Sequence, residues 1–78
     1  MNEQYLMRVF KKETGYSILQ FIAEQRINLA KELLEKTDYP VTVVANTVGY
    51  SNYSYFTKIF KNNTGYTPVA YRQQNKTE

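Results

Sequence analysis

The chain has no cysteine, no histidine and no tryptophan, and only three glycines and two prolines. Without cysteine no disulfide can staple the fold, and without cysteine and histidine the usual zinc sites are out of reach. The commonest general base is missing too. No nucleophile–base pair, glycine-rich phosphate loop or cluster of metal ligands stands in for it. Neither enzymatic activity nor a cofactor or metal is therefore expected. Long apolar runs are also lacking: none approaches the ~20 residues that cross a bilayer, and the opening MNEQYLMRVF is not built as a signal peptide. These absences lead to the expectation of a soluble, cytoplasmic chain with no membrane partner. One absence is local. Between Tyr39 and Thr77 there is no acid, while Lys58, Lys61, Arg72 and Lys76 lie in that stretch. The net charge of +3 is thus concentrated toward the second half of the chain.

What is present suffices for one small helical domain. Seventy-eight residues lie near the lower edge of what a core can hold without cross-links, and 42% hydrophobic with 15% aromatic residues must supply that core. Apolar residues recur at helical spacing throughout, so the expected fold is all-α. Residues 3–13 place Tyr5, Leu6, Val9 and Phe10 on one face, and Gly15 ends that helix after Lys11 and Lys12. Ser17 is placed to cap a long helix from 18 to about 36. Its apolar stripe is Leu19, Ile22, Ala23, Ile27, Ala30, Leu33 and Leu34, with Glu24, Lys31, Glu32, Glu35 and Lys36 in solvent. TDYP at 37–40 is a break, because the residue before Pro40 is driven out of helical backbone.

A short helix carrying Val41, Val44, Ala45 and Val48 follows and reaches Gly49. After a few residues another helix starts near Asn52, capped by Ser51 or Asn52, and turns Tyr55, Phe56, Ile59 and Phe60 inward. Two helices joined by a short glycine-containing turn are a helix-turn-helix. The β-branched run PVTVVA competes as a strand, but its apolar spacing and the glycine turn favour helix. Thr67 and Pro68 then open a short last helix as N-cap and first helical residue, and residues 74–78 are expected to fray.

A repeat runs across this plan. Residues 5–17, YLMRVFKKETGYS, return at 55–67 as YFTKIFKNNTGYT with six of thirteen positions identical. Both copies bury the same face. Outward they present Gln4, Met7, Arg8 and Lys11 in the first copy and Ser54, Thr57, Lys58 and Lys61 in the second, at offsets of three and four. Such a stripe, short, polar and basic, suits a helix lying in a DNA major groove, where amide, hydroxyl and guanidinium groups meet base edges and lysines meet phosphates. A polar stripe with lysine is also what an ordinary surface helix shows; duplication, with one copy inside a helix-turn-helix, favours the DNA reading. The long helix between the copies spans roughly 28 Å at ~1.5 Å per residue, near the ~34 Å of one DNA turn. Both helices could then enter successive major-groove segments on one face of the duplex.

Other residues have plainer readings. Tyr16 and Tyr66 follow the stop glycines and are expected to pack on the preceding turn. Arg26 is expected on the packed side of the long helix, bonding backbone carbonyls in preference to DNA. Glu32 and Glu35 are expected to be solvated charges.

The motifs FKKETG, Arg26 with AKELL, VANTVGYSNYSYFTKIFK and TGYTPVAYR together resemble the DNA-binding domain of the AraC/XylS family of bacterial transcription regulators, over nearly the whole chain. The resemblance implies two helix-turn-helix units bridged by a long helix. It implies base-reading roles for Gln4, Met7 and Arg8 in the first reading helix and for Asn52, Tyr53, Ser54, Thr57 and Lys58 in the second. Backbone contacts would fall to Lys11, Lys12, Lys61 and Asn62. Residues 1–36 would hold the first reading helix, from an incomplete first unit, with the linker; residues 37–78 would hold the second unit and a short closing helix. The partner implied is double-stranded DNA, with RNA polymerase or an effector-binding domain absent from this chain as further candidates.

The chain departs from the family pattern in three ways. The family domain carries about two more helices ahead of the first reading helix, so Leu6, Val9 and Phe10 are expected to be exposed and to invite self-association. Met7 stands where a polar reader is common. Val43 replaces a residue that is usually polar or acidic, and is read as an ordinary surface valine, with a contact to an effector domain or polymerase as the alternative. A protein-interaction or dimerisation module without DNA affinity remains the rival from a different class. A basic helix lying on anionic lipid is a third reading, disfavoured because each stripe is short.

Overall fold

In the computed structural model the described residues are Lys12 and 17–76, and the regular structure among them is helical. Within the described residues 17–76 four helices follow in order: α1 (Ile18–Lys36), α2 (Val41–Thr47), α3 (Tyr53–Thr64) and α4 (Pro68–Asn75). The PVTVVA segment is helical, as its spacing predicts. Of the first copy of the repeat and its outward stripe, Gln4, Met7, Arg8 and Lys11, the apolar Tyr5, Leu6, Val9 and Phe10, and Tyr16 lie outside the described residues.

Local signals set the helix ends. Ser17 and Gln20 form a reciprocal cap on α1: the Gln20 N–H donates to Ser17 Oγ at 3.1 Å and the Ser17 N–H to Gln20 Oε1 at 3.0 Å. Asn52, not Ser51, caps α3, its Oδ1 accepting from the Tyr55 N–H at 2.9 Å. Thr67 caps α4 through the Ala70 N–H, with Pro68 opening the first turn. Gly65 closes α3 in left-handed backbone, φ +83°. Between α2 and α3 the chain turns at Gly49, φ +106°, and the N–H groups of Gly49 and Tyr50 fold back onto the carbonyls of Asn46 and Ala45 at 3.1 and 2.9 Å. That closure satisfies the end of α2 and swings the chain into α3.

The core collects Ile27, Ala30 and Leu34 from α1, Val44 and Ala45 from α2, Val48 and Tyr50 from the turn, and Phe56 and Phe60 from α3. Leu33, Val41, Ile59 and Tyr71 pack around it. Ala30 and Ala45 are fully buried, and their small side chains let the helices approach closely. An aromatic line runs through the whole: Tyr50 to Phe56 at 5.7 Å between ring centroids, Phe56 to Phe60 at 5.7 Å, and Phe60 edge-on to Tyr71 at 5.4 Å.

Among the described residues the buried core takes Ile27, Ala30 and Leu34 from the second half of α1, which corrects part of the expected stripe. Leu19 is 66% exposed and Ile22 39%, whereas the buried residues of α2 and α3 gather around Ile27, Ala30 and Leu34. Tyr55 is likewise 52% exposed: it lies on the rim of α3 against Tyr50 instead of inside with Phe56 and Phe60.

Candidate nucleic-acid interface

The face of α3 opposite Phe56 and Phe60 is built by periodicity. With those two rings buried and Ile59 half-buried, Ser54, Lys58 and Lys61 fall on the far side and are exposed. Tyr53, 40% exposed, and Asn52 stand at the start of this face, and Asn62 is exposed beside Lys61. The second copy of the stripe is therefore brought onto one helix surface.

Two of its members carry internal duties. Asn52 commits its amide oxygen to the cap, which leaves its NH₂ end as the group that can face a partner. Thr57 is half-buried and its hydroxyl donates to the Tyr53 carbonyl at 3.0 Å, so it offers lone pairs and a methyl group outward, not a proton. Of the backbone set from the first copy, Lys12 is described and is helical and exposed.

The charge around this face is arranged by what the other ions do. The helix α3 contains no acid. Among the described residues, acids lie on α1 and just after it: Glu32 pairs with Lys36 at 3.3 Å, Asp38 with Lys76 at 2.9 Å, Glu35 accepts from the Tyr71 hydroxyl at 2.7 Å, and Glu24 lines a cleft with Ile59, Asn62 and Asn63 on the flank of α3. Lys76 holds the Asp38 carboxyl below its usual range, first through their hydrogen bond and then through its charge. Glu35 is thus not the solvated charge expected from the sequence. Arg72 is occupied as well, donating from Nε to the Leu34 carbonyl and from Nη2 to the Thr37 carbonyl, both at 3.2 Å. The acid-free stretch from 39 to 77 therefore divides: Arg72 and Lys76 turn to the end of α1, and Lys58 and Lys61 turn outward with α3.

Arg26 is the residue that sequence reasoning placed least well. It is exposed, and its guanidinium lies over the Tyr50 ring, 5.3 Å from the centroid. The arginine that binds carbonyls is Arg72. Beside Arg26 a groove of about 450 Å³ runs between α1 and the turn, lined by Leu19, Ile22, Tyr50, Ser51 and Tyr55 among others. Tyr66, expected to pack on the turn before it, is 44% exposed, and its backbone N–H donates to Thr64 Oγ1 at 3.1 Å. Val43 is exposed on the outside of α2, where the sequence placed it. No helix among the described residues is long and apolar enough to cross a membrane.

Comparison with known proteins adds relatives of the same build. Residues 1–74 match the family described as "Helix-turn-helix domain". The bifunctional transcriptional activator/DNA repair enzyme AdaA of Bacillus subtilis is 36% identical over 74 residues, covering 95% of this chain and 35% of that protein. The arabinose operon regulatory protein of Escherichia coli is 37% identical over 67 residues, covering 86% of this chain and 23% of that protein. The chain thus spans about a third or less of the length of these curated relatives. Among solved structures, the C-terminal domain of AraT, a response regulator from Geobacillus stearothermophilus, superposes with a TM-score of 0.96 at 33% identity, over 100% of this chain and 64% of that one. The DNA-binding domain of the global transcriptional factor AdpA, solved in complex with a target DNA, gives 0.89 at 34% identity, over 95% of this chain and 67% of that one.

Proposed function

Because this chain belongs to the AraC/XylS-type helix-turn-helix family, we propose that it binds double-stranded DNA sequence-specifically, with α3 as a reading helix in the major groove, as the DNA-binding part of a bacterial transcription regulator. The observation that carries this is the face of α3: Ser54, Lys58 and Lys61 exposed together on an acid-free helix whose other side is pinned by Phe56 and Phe60. A helix fixed in this way presents hydroxyl and ammonium groups at set spacing without a backbone ordering cost at the moment of docking.

In this assignment Asn52, Tyr53, Ser54, Thr57 and Lys58 meet base edges, and Lys61 and Asn62 meet the phosphate backbone. Gln4, Met7 and Arg8 are the corresponding readers in the first copy, with Lys11 and Lys12 on its backbone side. Residues 1–36 then act as first reading helix and linker, and residues 37–78 as the second unit. Affinity comes mainly from the lysines through counterion release, and specificity from the polar groups between them. RNA polymerase or an effector-binding domain are the further partners in this proposal, and a bacterial cytoplasmic setting goes with it.

The test is Lys58→Ala, measured by fluorescence anisotropy of a labelled duplex of about 20 base pairs, the length of two half-sites. Removing one phosphate or base-edge contact should weaken binding by about 1–3 kcal/mol for a base contact, or lower the salt slope by about 1 for a phosphate contact. An affinity and a slope both unchanged from wild type would remove α3 from the interface.

A further inference from the structure

We infer that Arg26 is a positioning residue for DNA binding, one that sets the near end of the reading helix without touching DNA; this rests on the function proposed above. Beyond the core packing of Phe56 and Phe60, two aromatic contacts tie the ends of α3 to the rest of the molecule. At its far end, Phe60 meets Tyr71 edge-on at 5.4 Å, and the Tyr71 hydroxyl is bonded to Glu35 of α1 at 2.7 Å. At its near end, the intermediary is Tyr50. Its ring lies 5.9 Å from that of Tyr55 and 5.7 Å from that of Phe56, in the first two turns of α3. Arg26 of α1 also packs on Tyr50, with the guanidinium 5.3 Å from the ring centroid.

The turn is shaped around that arginine. A Cβ built on Gly49 would lie 3.1 Å from both Cζ and Nε of Arg26, so the guanidinium packs closely on the Gly49 backbone and would have to shift by a few tenths of an ångström for a side chain there. Gly49 already needs its positive φ of +106° to close α2, and the same residue leaves room for Arg26. Arg26, Gly49 and Tyr50 thus form a contact between α1 and the point at which the chain enters α3. The residues assigned to base reading, 52 to 58, begin two positions beyond Tyr50. Cation–ring attraction, directional and retained in a partly solvated setting, adds to the burial of Tyr50 at this junction, beside which Leu19, Ile22 and Tyr55 are exposed.

Salt-dependent binding separates the roles. Arg26→Gln should weaken duplex binding about two- to fivefold, the fold-change matching ~0.5–1 kcal/mol for an exposed cation–ring pair. It should leave the salt slope as in wild type, because no phosphate contact is lost. Arg26→Lys, which keeps a cation over the ring, should fall between the two. In the free protein, the amide resonances of Gly49 and Tyr55 should move in Arg26→Gln while those of α4 stay. Lys58→Ala serves as the control for direct contact. A slope reduced by about 1 in Arg26→Gln would make Arg26 a phosphate ligand and overturn the inference. Unchanged affinity in Arg26→Gln beside weakened binding in Lys58→Ala would overturn it while leaving the reading face in place. Lys58→Ala without effect would remove the reading face, and the role of Arg26 with it. Should Arg26→Gln lose its folded spectrum, Arg26→Lys carries the same comparison of affinity against slope.

Discussion

Tyr71 shows how much one hydroxyl can hold. Its ring completes the aromatic line at Phe60 and its oxygen donates to Glu35, so ionisation is opposed first by burial, then by the hydrogen bond and charge of that carboxylate, and its pKa rises from 10.0 to about 12. A phenol whose pKa is higher in the folded chain than in the unfolded one favours folding while it stays protonated. Its contribution is complete below pH 10 and is lost as the pH climbs through about 12. Thermal melts should therefore lose midpoint between pH 10 and 12 more steeply in wild type than in Tyr71→Phe. At neutral pH the variant should be less stable by about 1 kcal/mol, the net worth of a hydrogen bond. Parallel curves for the two proteins above pH 10 would mean that the hydroxyl is not held as described. Single residues also mark where sequence reading ran short. Arg26, Glu35 and Tyr55 were assigned by helical phase, and phase says which way a side chain leaves its own helix, not which element comes to meet it.

At the scale of elements, α4 acts as a clasp across the end of α1. Arg72 donates to the Leu34 and Thr37 carbonyls, which the helix end leaves without internal partners, and Lys76 pairs with Asp38 just beyond. Arg72→Ala should lower stability by about 1.5–3 kcal/mol, the range for hydrogen bonds to a charged donor, read from urea unfolding. It should leave the salt slope of DNA binding as it is, since this arginine faces α1 and not the reading side. A reduced slope would place Arg72 at the phosphates. Helix boundaries were largely legible beforehand because their causes are local. Ser17 with Gln20, Gly49, Gly65 and the Thr67-Pro68 pair each act within a few residues of themselves. The extent of burial along α1 was not legible. Leu19 and Ile22 share the periodicity of Ile27 and Leu34, and only the placement of α2, α3 and α4 on the second half of the helix separates them.

For the whole molecule, the described half of the repeat already explains why the motif YFTKIFK is worth writing: Phe56 and Phe60 lock the helix, and Ser54, Lys58 and Lys61 are left facing out. The polar stripe was legible from spacing alone. Its electrostatic quality was not, because that depends on where Arg72 and Lys76 go, and both are spent on α1. The most direct measurement is an amide NMR titration of the chain with a duplex of about 20 base pairs, at low and then at moderate salt. If α3 is a reading helix, shifts should concentrate at residues 52–62 and weaken as salt rises. A well-folded spectrum in which residues 52–62 stay still, while the duplex either leaves the chain untouched or moves only α4 and the end of α1, would contradict the assignment.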